Sequence, residues 1–505
     1  MTHVRGDRPV VLLMTTNGWG MGHMSRQLAI AIGLGGRAEP ILLSLSGAVH
    51  LATAQGIRAE YLPSPSRGWL PTAAWNAYLA ERLVALARET NATALVFDGV
   101  HPYRGVVEAR RKLPEVAFVW SRRGMWTKGL GRDALRTGRD FDLIIEPGDL
   151  GSAADRGATV SRRDAIRVPP VSLLDVIPPL DRVEARAALG LDADAPTTLV
   201  SLSAGTGDPA VLLRGVLRAI RADPAWHVAV ITNPLKPNPD LPTADPRVHP
   251  LADVYPLVRY LAAFDVAIAS AGYNAAHELP LAGVPSLLVA NTRSGWDDQV
   301  SRARGIWERG LALWARDDMP GEVEARAAEL VTDLARNRIG TALADLGPDE
   351  RGGAAAVADL VNGAARGLGP GSMIIRSQSQ RFIDRVRWTA DGLRSAIARR
   401  RPRHSIVFYA RLLAFRLLRR PTASDLAAQA GPQTFVFVEE PAGTPADVIA
   451  ANTDRADVVL VTERLTRDVI AGAGPIEQLL PGSSQGYRAQ RLDLARRFFP
   501  PNEVS

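Results

Sequence analysis

The stretch V10-V-L-L-M-T-T-N-G-W-G-M-G-H-M-S-R26 runs from an apolar block through three alternating glycines to a histidine and the start of a helical pattern. A short unbroken run of aliphatic residues ending in glycine predicts a strand buried on both faces, as in a parallel sheet. Glycines at 18, 20 and 22 let the next turn take positive φ and let a ligand come close to the backbone. The helix that follows aims unpaired N–H groups and the positive end of its dipole at the same place. The dinucleotide fingerprint would need glycine where His23 stands, and no acidic residue closes the next apolar run, PILLSLS from Pro40. A histidine here can serve as a general base near neutral pH; a glycine turn with a bystander imidazole would read the same way.

The alternation continues outward. Apolar runs TALVFDG from Thr93, VAFVWS from Val116 and FDLIIEP from Phe141 are interleaved with helical patterns such as YRGVVEARRK from Tyr103. It stops at IRVPPVSLLDVIPP, Ile166 to Pro179, where paired prolines predict an interdomain linker. A second series follows, with TTLVSLS from Thr197, HVAVIT from His227, RVHPL from Arg247, DVAIASAG from Asp265 and PSLLVAN from Pro285. The expected fold class is therefore α/β, with two tandem doubly wound Rossmann-like domains over 1–172 and 180–365. In such sheets ligands bind beyond the carboxyl ends of the strands, so two of them facing each other would share one cleft.

The 505 residues, 46% apolar and 22% charged, describe a globular chain of several domains. No window approaches about 18 uninterrupted apolar residues, so no membrane-spanning helix is expected. The absence of cysteine removes disulfides, thiolate nucleophiles and Cys-based zinc sites, and suits a reducing, cytoplasmic location. The net charge of +7 is unevenly placed: residues 370–420 hold 13 Arg against Asp384 and Asp391, and the remainder of the chain is slightly acidic. Within 370–505, an Arg-rich helical extension with an α/β pattern at its end, Ile375, Phe382, Val386, Leu393 and Ile397 form a helical stripe between arginines. A basic amphipathic segment over 374–420 suits an anionic membrane surface, with the protein peripheral on its inner face. The same stripe could instead pack on the second domain with its arginines in solvent. Nucleic acid is not expected as a partner, because aromatics are few and no recognisable module is present.

Three further stretches carry candidate chemistry. The loop S203-A-G-T-G207 follows the first strand of the second domain and could cradle a diphosphate. In S270-A-G-Y-N-A-A-H-E-L-P-L-A-G-V-P-S-L-L-V-A-N-T-R-S-G-W-D-D-Q299 a strand gives way to a glycine turn and a helix bearing Glu278; a second strand then leads to Asp298 and Gln299. Carboxylates and an amide at neighbouring strand ends could hold several sugar hydroxyls, whereas Asp297 or Asp298 taken singly reads as a helix N-cap. In V119-W-S-R-R-G-M-W126 the Arg122 and Arg123 guanidiniums could grip a phosphate or carboxylate; the alternative is a solvated loop anchored by Trp120.

These strings resemble the GT-B glycosyltransferases. Among them the chain is similar to the inverting nucleotide-sugar enzymes grouped with the peptidoglycan N-acetylglucosaminyltransferase that forms lipid II and with the macrolide and plant UDP-glycosyltransferases. The resemblance covers about 1–365. It implies an acceptor-binding N-terminal domain, a nucleotide-sugar-binding second domain, and transfer of a sugar from a nucleotide-diphosphate donor, UDP-linked, to an acceptor hydroxyl. His23 falls at the family's base and Asp98 at the aspartate that orients it. Gly205, Thr206, Gly207, Gly272, Tyr273 and Asn274 would meet the donor diphosphate, Glu278 the ribose, and Asp298 with Gln299 the sugar. Gly20, Gly22, Arg122, Arg123 and Trp126 would line the acceptor, which a docking basic extension would make a polyprenyl-phosphate or glycolipid.

Tyr273 and Asn274 stand where the family more often has a small hydroxyl residue, which leaves the diphosphate contacts open. Retaining relatives of this fold carry a second glutamate seven residues on; here that position is Pro285, which points to inversion. No D-x-D triplet closes a strand, so neither a metal nor any other cofactor is expected, and leaving-group charge would fall to helix dipoles and backbone N–H groups. Rival readings are a non-hydrolysing UDP-sugar 2-epimerase, which shares the fold, and a non-catalytic binding or scaffold protein.

Overall fold

The computed structural model describes residues 8–16, 21–65, 71–203, 205–232, 245–252 and 254–367. Gly18, Gly20 and the whole Arg-rich extension lie outside the described residues, as do the expectations placed on them.

The first domain is built on a seven-stranded sheet of β1 (Val10–Thr15), β2 (Glu39–Ser44), β3 (Arg58–Tyr61), β4 (Ala92–Asp98), β5 (Ala117–Ser121), β6 (Leu143–Pro147) and β7 (Ile166–Val168). Its spatial order is β3-β2-β1-β4-β5-β6-β7 and every pairing is parallel. The second sheet comprises β8 (Thr197–Ser201), β9 (His227–Ile231), β10 (Val248–Leu251), β11 (Val266–Ser270), β12 (Ser286–Ala290) and β13 (Leu313–Arg316). It is ordered β10-β9-β8-β11-β12-β13, again all parallel. This is the expected pair of doubly wound sheets. The aliphatic runs are strands because helices cover both faces: all six residues of β1 are buried.

Strand order reverses between β1 and β4 and between β8 and β11. β1 and β8 end at these reversals, and Asp98 and Ser270 close the neighbouring strands. The C-terminal ends of both strands therefore stand at topological switch points.

Three features depart from the sequence reading. The helix Thr72–Thr90 went unnoticed because its apolar residues do not form one stripe: it is buried nearly all round and ends on Asn91 in the left-handed region. The predicted linker begins inside the sheet, since Ile166–Val168 pairs with β6 as its last strand. The helix Gly353–Ala365, within the span 180–365 read as the second domain, packs on the first: Ala354, Val357, Ala358 and Val361 join the core of the first sheet. Asp175 in the linker accepts from the amides of Gly352 and Ala354 at 3.0 and 2.9 Å and so starts that helix. Among the described residues no helix is long and apolar enough to cross a membrane.

Gly353 is where this return helix touches the linker. A Cβ there would stand 2.3 Å from the carbonyl oxygens of Pro169 and Pro170, both backbone atoms that cannot swing aside. Gly353→Ala is expected to destabilise by about 1–3 kcal/mol through overpacking, read as a lower midpoint of thermal or urea unfolding; an unchanged midpoint would refute this packing.

Candidate functional site at the interdomain cleft

His23 lies in the first turn of the helix Gly22–Gly33, and Asp98 is the last residue of β4. Their side chains meet: His23 Nδ1 is 3.0 Å from Asp98 Oδ2. A third residue joins them. Arg26 Nη2 donates to Asp98 Oδ2 at 2.9 Å and stands 2.8 Å from His23 Nδ1. Burial opposes ionisation of Asp98, but Arg26 and then His23 outweigh it and hold its pKa at about 2. Burial likewise pushes the His23 pKa below its ordinary value; Asp98 resists this and Arg26 adds to it. An ionised Asp98 accepts from a proton on Nδ1, and that tautomer leaves Nε2 of a neutral imidazole as the basic nitrogen.

Across the cleft stands the helix Tyr273–Leu281, which begins at the end of β11. Neither this helix nor Gly22–Gly33 has a side-chain cap at its N-terminus, whereas the helix Pro209–Arg221 is capped by Asp208 and Gln299–Glu308 by Asp298. A Cβ built on Gly22 or Gly272 meets nothing within 4 Å, and neither has positive φ. Their value is thus the open approach to the backbone and not an unusual conformation. The two open termini face one another: Asn274 Nδ2 donates to the Gly22 carbonyl at 3.4 Å, and Arg26 Nη1 lies 3.5 Å from Asn274 Oδ1.

The loop after β8 supplies hydroxyls more than amides. Thr206 Oγ1 is 2.8 Å from Ser203 Oγ and 2.7 Å from Ser270 Oγ. Gly207 has φ of +42°, and its amide is spent on Asp317 at 2.8 Å. Asn291 Nδ2 donates to the Gly205 carbonyl at 2.6 Å.

Other sequence candidates land in structural roles. Tyr273 is buried; its hydroxyl donates to the Gly148 carbonyl at 2.9 Å and accepts from the Val171 amide at 3.1 Å, so its side chain anchors the linker and is not offered to a diphosphate. Arg122 does not reach an acceptor: it is 0% exposed and bound to Glu146 at 3.1 Å and Asp164 at 3.0 Å. Trp126 is buried and forms an antiparallel bridge with Asp297. Arg123 does face the second domain, but through Asp297, 3.0 Å away. Both oxygens of Asp298 engage Ser301, at 2.9 Å to its amide and 2.8 Å to its hydroxyl, the N-cap arrangement. Gln299 Oε1 accepts from the Asn291 amide at 3.2 Å and its Nε2 donates to Asp297 at 3.3 Å.

Sequence reading missed Arg26, Asp149, Asp297 in its pairing role, Arg302 and Asp317. Only Arg26 had a local signal, since three residues after His23 is the same face of a helix. Asp149, Asp297 and Arg302 join the two domains, while Asp317 ties together loops of the second, accepting from Gly207 and Thr292. Arg302 Nε donates to Asp149 at 2.7 Å and its Nη2 to Asp297 at 2.8 Å. Burial opposes ionisation of both carboxyls, but Arg302 beside Asp149, and Arg123 then Arg302 beside Asp297, hold their pKa values well below the usual carboxylate range. His277 Nε2 accepts from the Leu150 amide at 3.0 Å on the same seam.

Against solved structures, the chain is similar to the glycotransferase of kitacinnamycin, with 16% identity, a TM-score of 0.50, and coverage of 71% of this chain and 100% of that one. The Phytolacca americana UGT2 structure, complexed with UDP-2fluoro-glucose and pterostilbene, gives 13%, 0.51, 70% and 98%. The chain has the GT-B fold. A Listeria monocytogenes protein described as a UDP-N-acetylglucosamine 2-epimerase gives 12%, 0.50, 69% and 94%, so one architecture hosts more than one printed activity. No protein-family model matches the chain, and no curated protein matches it significantly in sequence.

Glu278, one and a half turns into its helix, is partly buried; burial raises its pKa to about 7, with the Leu173 amide and Arg26 opposing and Asp175 adding. Its ionisation is thus disfavoured in the folded chain. Stability is fully present below its ordinary value near 4.5 and declines as pH rises to about 7. Glu278→Gln removes that penalty: its melting temperature relative to wild type should be higher at pH 8 than at pH 5, and a pH-independent difference would contradict the assignment.

Proposed function

We propose that the protein is a metal-independent glycosyltransferase that moves a sugar from a nucleotide-diphosphate donor, with UDP as the expected nucleotide, to an acceptor hydroxyl with inversion. The observation that carries this reading is the His23–Asp98 pair facing an uncapped helix N-terminus across the cleft. His23 Nε2 takes the acceptor hydroxyl proton as the oxygen attacks the anomeric carbon; the carbon–oxygen bond to the diphosphate breaks and its electron pair leaves with the phosphate. Asp98 holds the imidazole and stabilises the imidazolium. Backbone N–H groups of Gly272 to Asn274 and the hydroxyls around Thr206 receive the diphosphate, and Glu278 the ribose. UDP-2fluoro-glucose in a neighbour of the same fold supports the donor class. A lipid-linked acceptor at a membrane surface is the part of the proposal that depends on residues 374–420.

Thermal shift against UDP-, dTDP- and GDP-sugars, run with EDTA, tests donor and metal together, since a ligand of the folded state raises the melting temperature. One nucleotide sugar should stabilise the protein; no shift with any of them would count against the donor site. With an identified acceptor, His23→Ala should lower turnover roughly 10²- to 10⁴-fold. Because the His23 pKa is depressed, its basic form persists into mild acid, and the acid limb of kcat/KM should fall below pH 6.5. Full turnover in His23→Ala, or a limb above that value that persists in Glu278→Gln, would remove the histidine from the mechanism.

The neighbour described as an epimerase favours a second reading. Incubation with UDP-N-acetylglucosamine alone separates the two, since an epimerase interconverts the sugar without an acceptor.

A further inference from the structure

Three guanidiniums gather around the Tyr273 ring: Arg26 at 4.9 Å, Arg123 at 5.7 Å and Arg302 at 5.9 Å from its centroid. They are not equally committed. Arg302 spends its nitrogens on Asp149, Asp297 and the Ala271 carbonyl. Arg123 spends only Nη1, on Asp297, and its Nε has no acceptor among the described residues. Arg26 spends only Nη2, on Asp98. What sets Arg26 apart is that one of its nitrogens reaches the uncapped helix. Its Nη1 has the long 3.5 Å contact with Asn274, and its Nε too has no acceptor among the described residues, although the residue is only 3% exposed. A guanidinium offers five N–H donors, and leaving a buried one unpaired is costly.

Arg26 Nη1 is turned toward Asn274, the second residue of the uncapped helix, beside Gly272, whose Cβ direction is open. Backbone N–H groups from one domain and a cationic fork from the other thus converge on one place, a donor set suited to phosphate oxygens. We propose that Arg26 binds the diphosphate of the donor from the opposite domain, so that one guanidinium holds both the leaving group and the Asp98 that orients the base. The inference rests on the nucleotide-sugar reading above and extends it: the diphosphate site is shared between the domains and is complete only when the cleft is closed as seen here. Arg26 then supplies a fixed positive charge where negative charge grows as the glycosidic bond breaks.

The test is calorimetric titration of the full chain with UDP, uridine and inorganic pyrophosphate, repeated for Arg26→Gln and Arg26→Lys, each checked for folding by its thermal transition. If UDP does not bind the wild type, dTDP and GDP replace it. The expected result is nucleoside diphosphate affinity roughly 10- to 100-fold weaker in Arg26→Gln, partly restored in Arg26→Lys, with uridine affinity unchanged. Should Arg26→Gln not fold, Arg26→Lys decides: it keeps the charge but loses the bidentate fork, and weaker nucleoside diphosphate binding with unchanged uridine binding supports the proposal. A folded variant that binds the nucleoside diphosphate as tightly as wild type overturns the role of Arg26 and leaves the donor reading standing. Equal losses for uridine and nucleoside diphosphate also overturn it, since they mark a general structural defect. If pyrophosphate weakens in the variants while the wild type binds none of the three nucleoside diphosphates, the site is an inorganic-anion site and the donor reading fails with this proposal. If the wild type binds no probe, both fail.

Discussion

Arg302 is wholly buried between Asp149, just beyond β6 of the first sheet, and Asp297, just beyond β12 of the second. Asp297 in turn holds Arg123, on the far side of the cleft. None of these charges could stay buried alone, because removing one partner of such a pair typically costs about 3–5 kcal/mol. The demand for mutual neutralisation therefore sets how the sheets face one another. Tyr273, hydrogen-bonded to the Gly148 carbonyl and the Val171 amide, and His277, accepting from Leu150, reinforce the same seam with neutral groups.

With the sheets held in this way, two helix N-termini with no side-chain cap come together. Some helix starts carry an acidic cap, as at Asp181, Asp208 and Asp298. At Gly22 and Gly272 there is none, and glycine keeps the backbone accessible. Uncapped amides with an open approach, unlike capped ones, are free to receive an anion. His23 and Asp98 lie on the rim of the same opening, so the base and the anion-receiving groups are positioned by the two switch points and not by a dedicated loop.

Much of this was legible before any coordinates. Apolar runs ending in glycine marked the strands, and in an all-parallel sheet every strand delivers its C-terminal turn to the same edge. His23, Asp98, Gly272 and Asp298 could therefore be placed at one cleft from their positions in the alternation. Illegible parts have identifiable causes. The helix Thr72–Thr90 is buried on too many sides to show an amphipathic period. The helix Gly353–Ala365 looks like any late helix of the second domain, and only the packing of Ala354 and Val357 reveals that it returns to the first.

Charged side chains mark the boundary most clearly. Arg122 and Arg123 are adjacent in sequence and were read alike, yet one is consumed by Glu146 and Asp164 inside its own domain and the other reaches Asp297 across the cleft. The sequence alone determined the fold class and which residues stand at strand ends, because hydrophobic period and glycine placement act over a few residues. Tertiary structure alone decided which guanidinium meets which carboxylate, and left Arg26 with donors unspent, because those pairings join residues far apart in the chain and depend on the packing of both sheets.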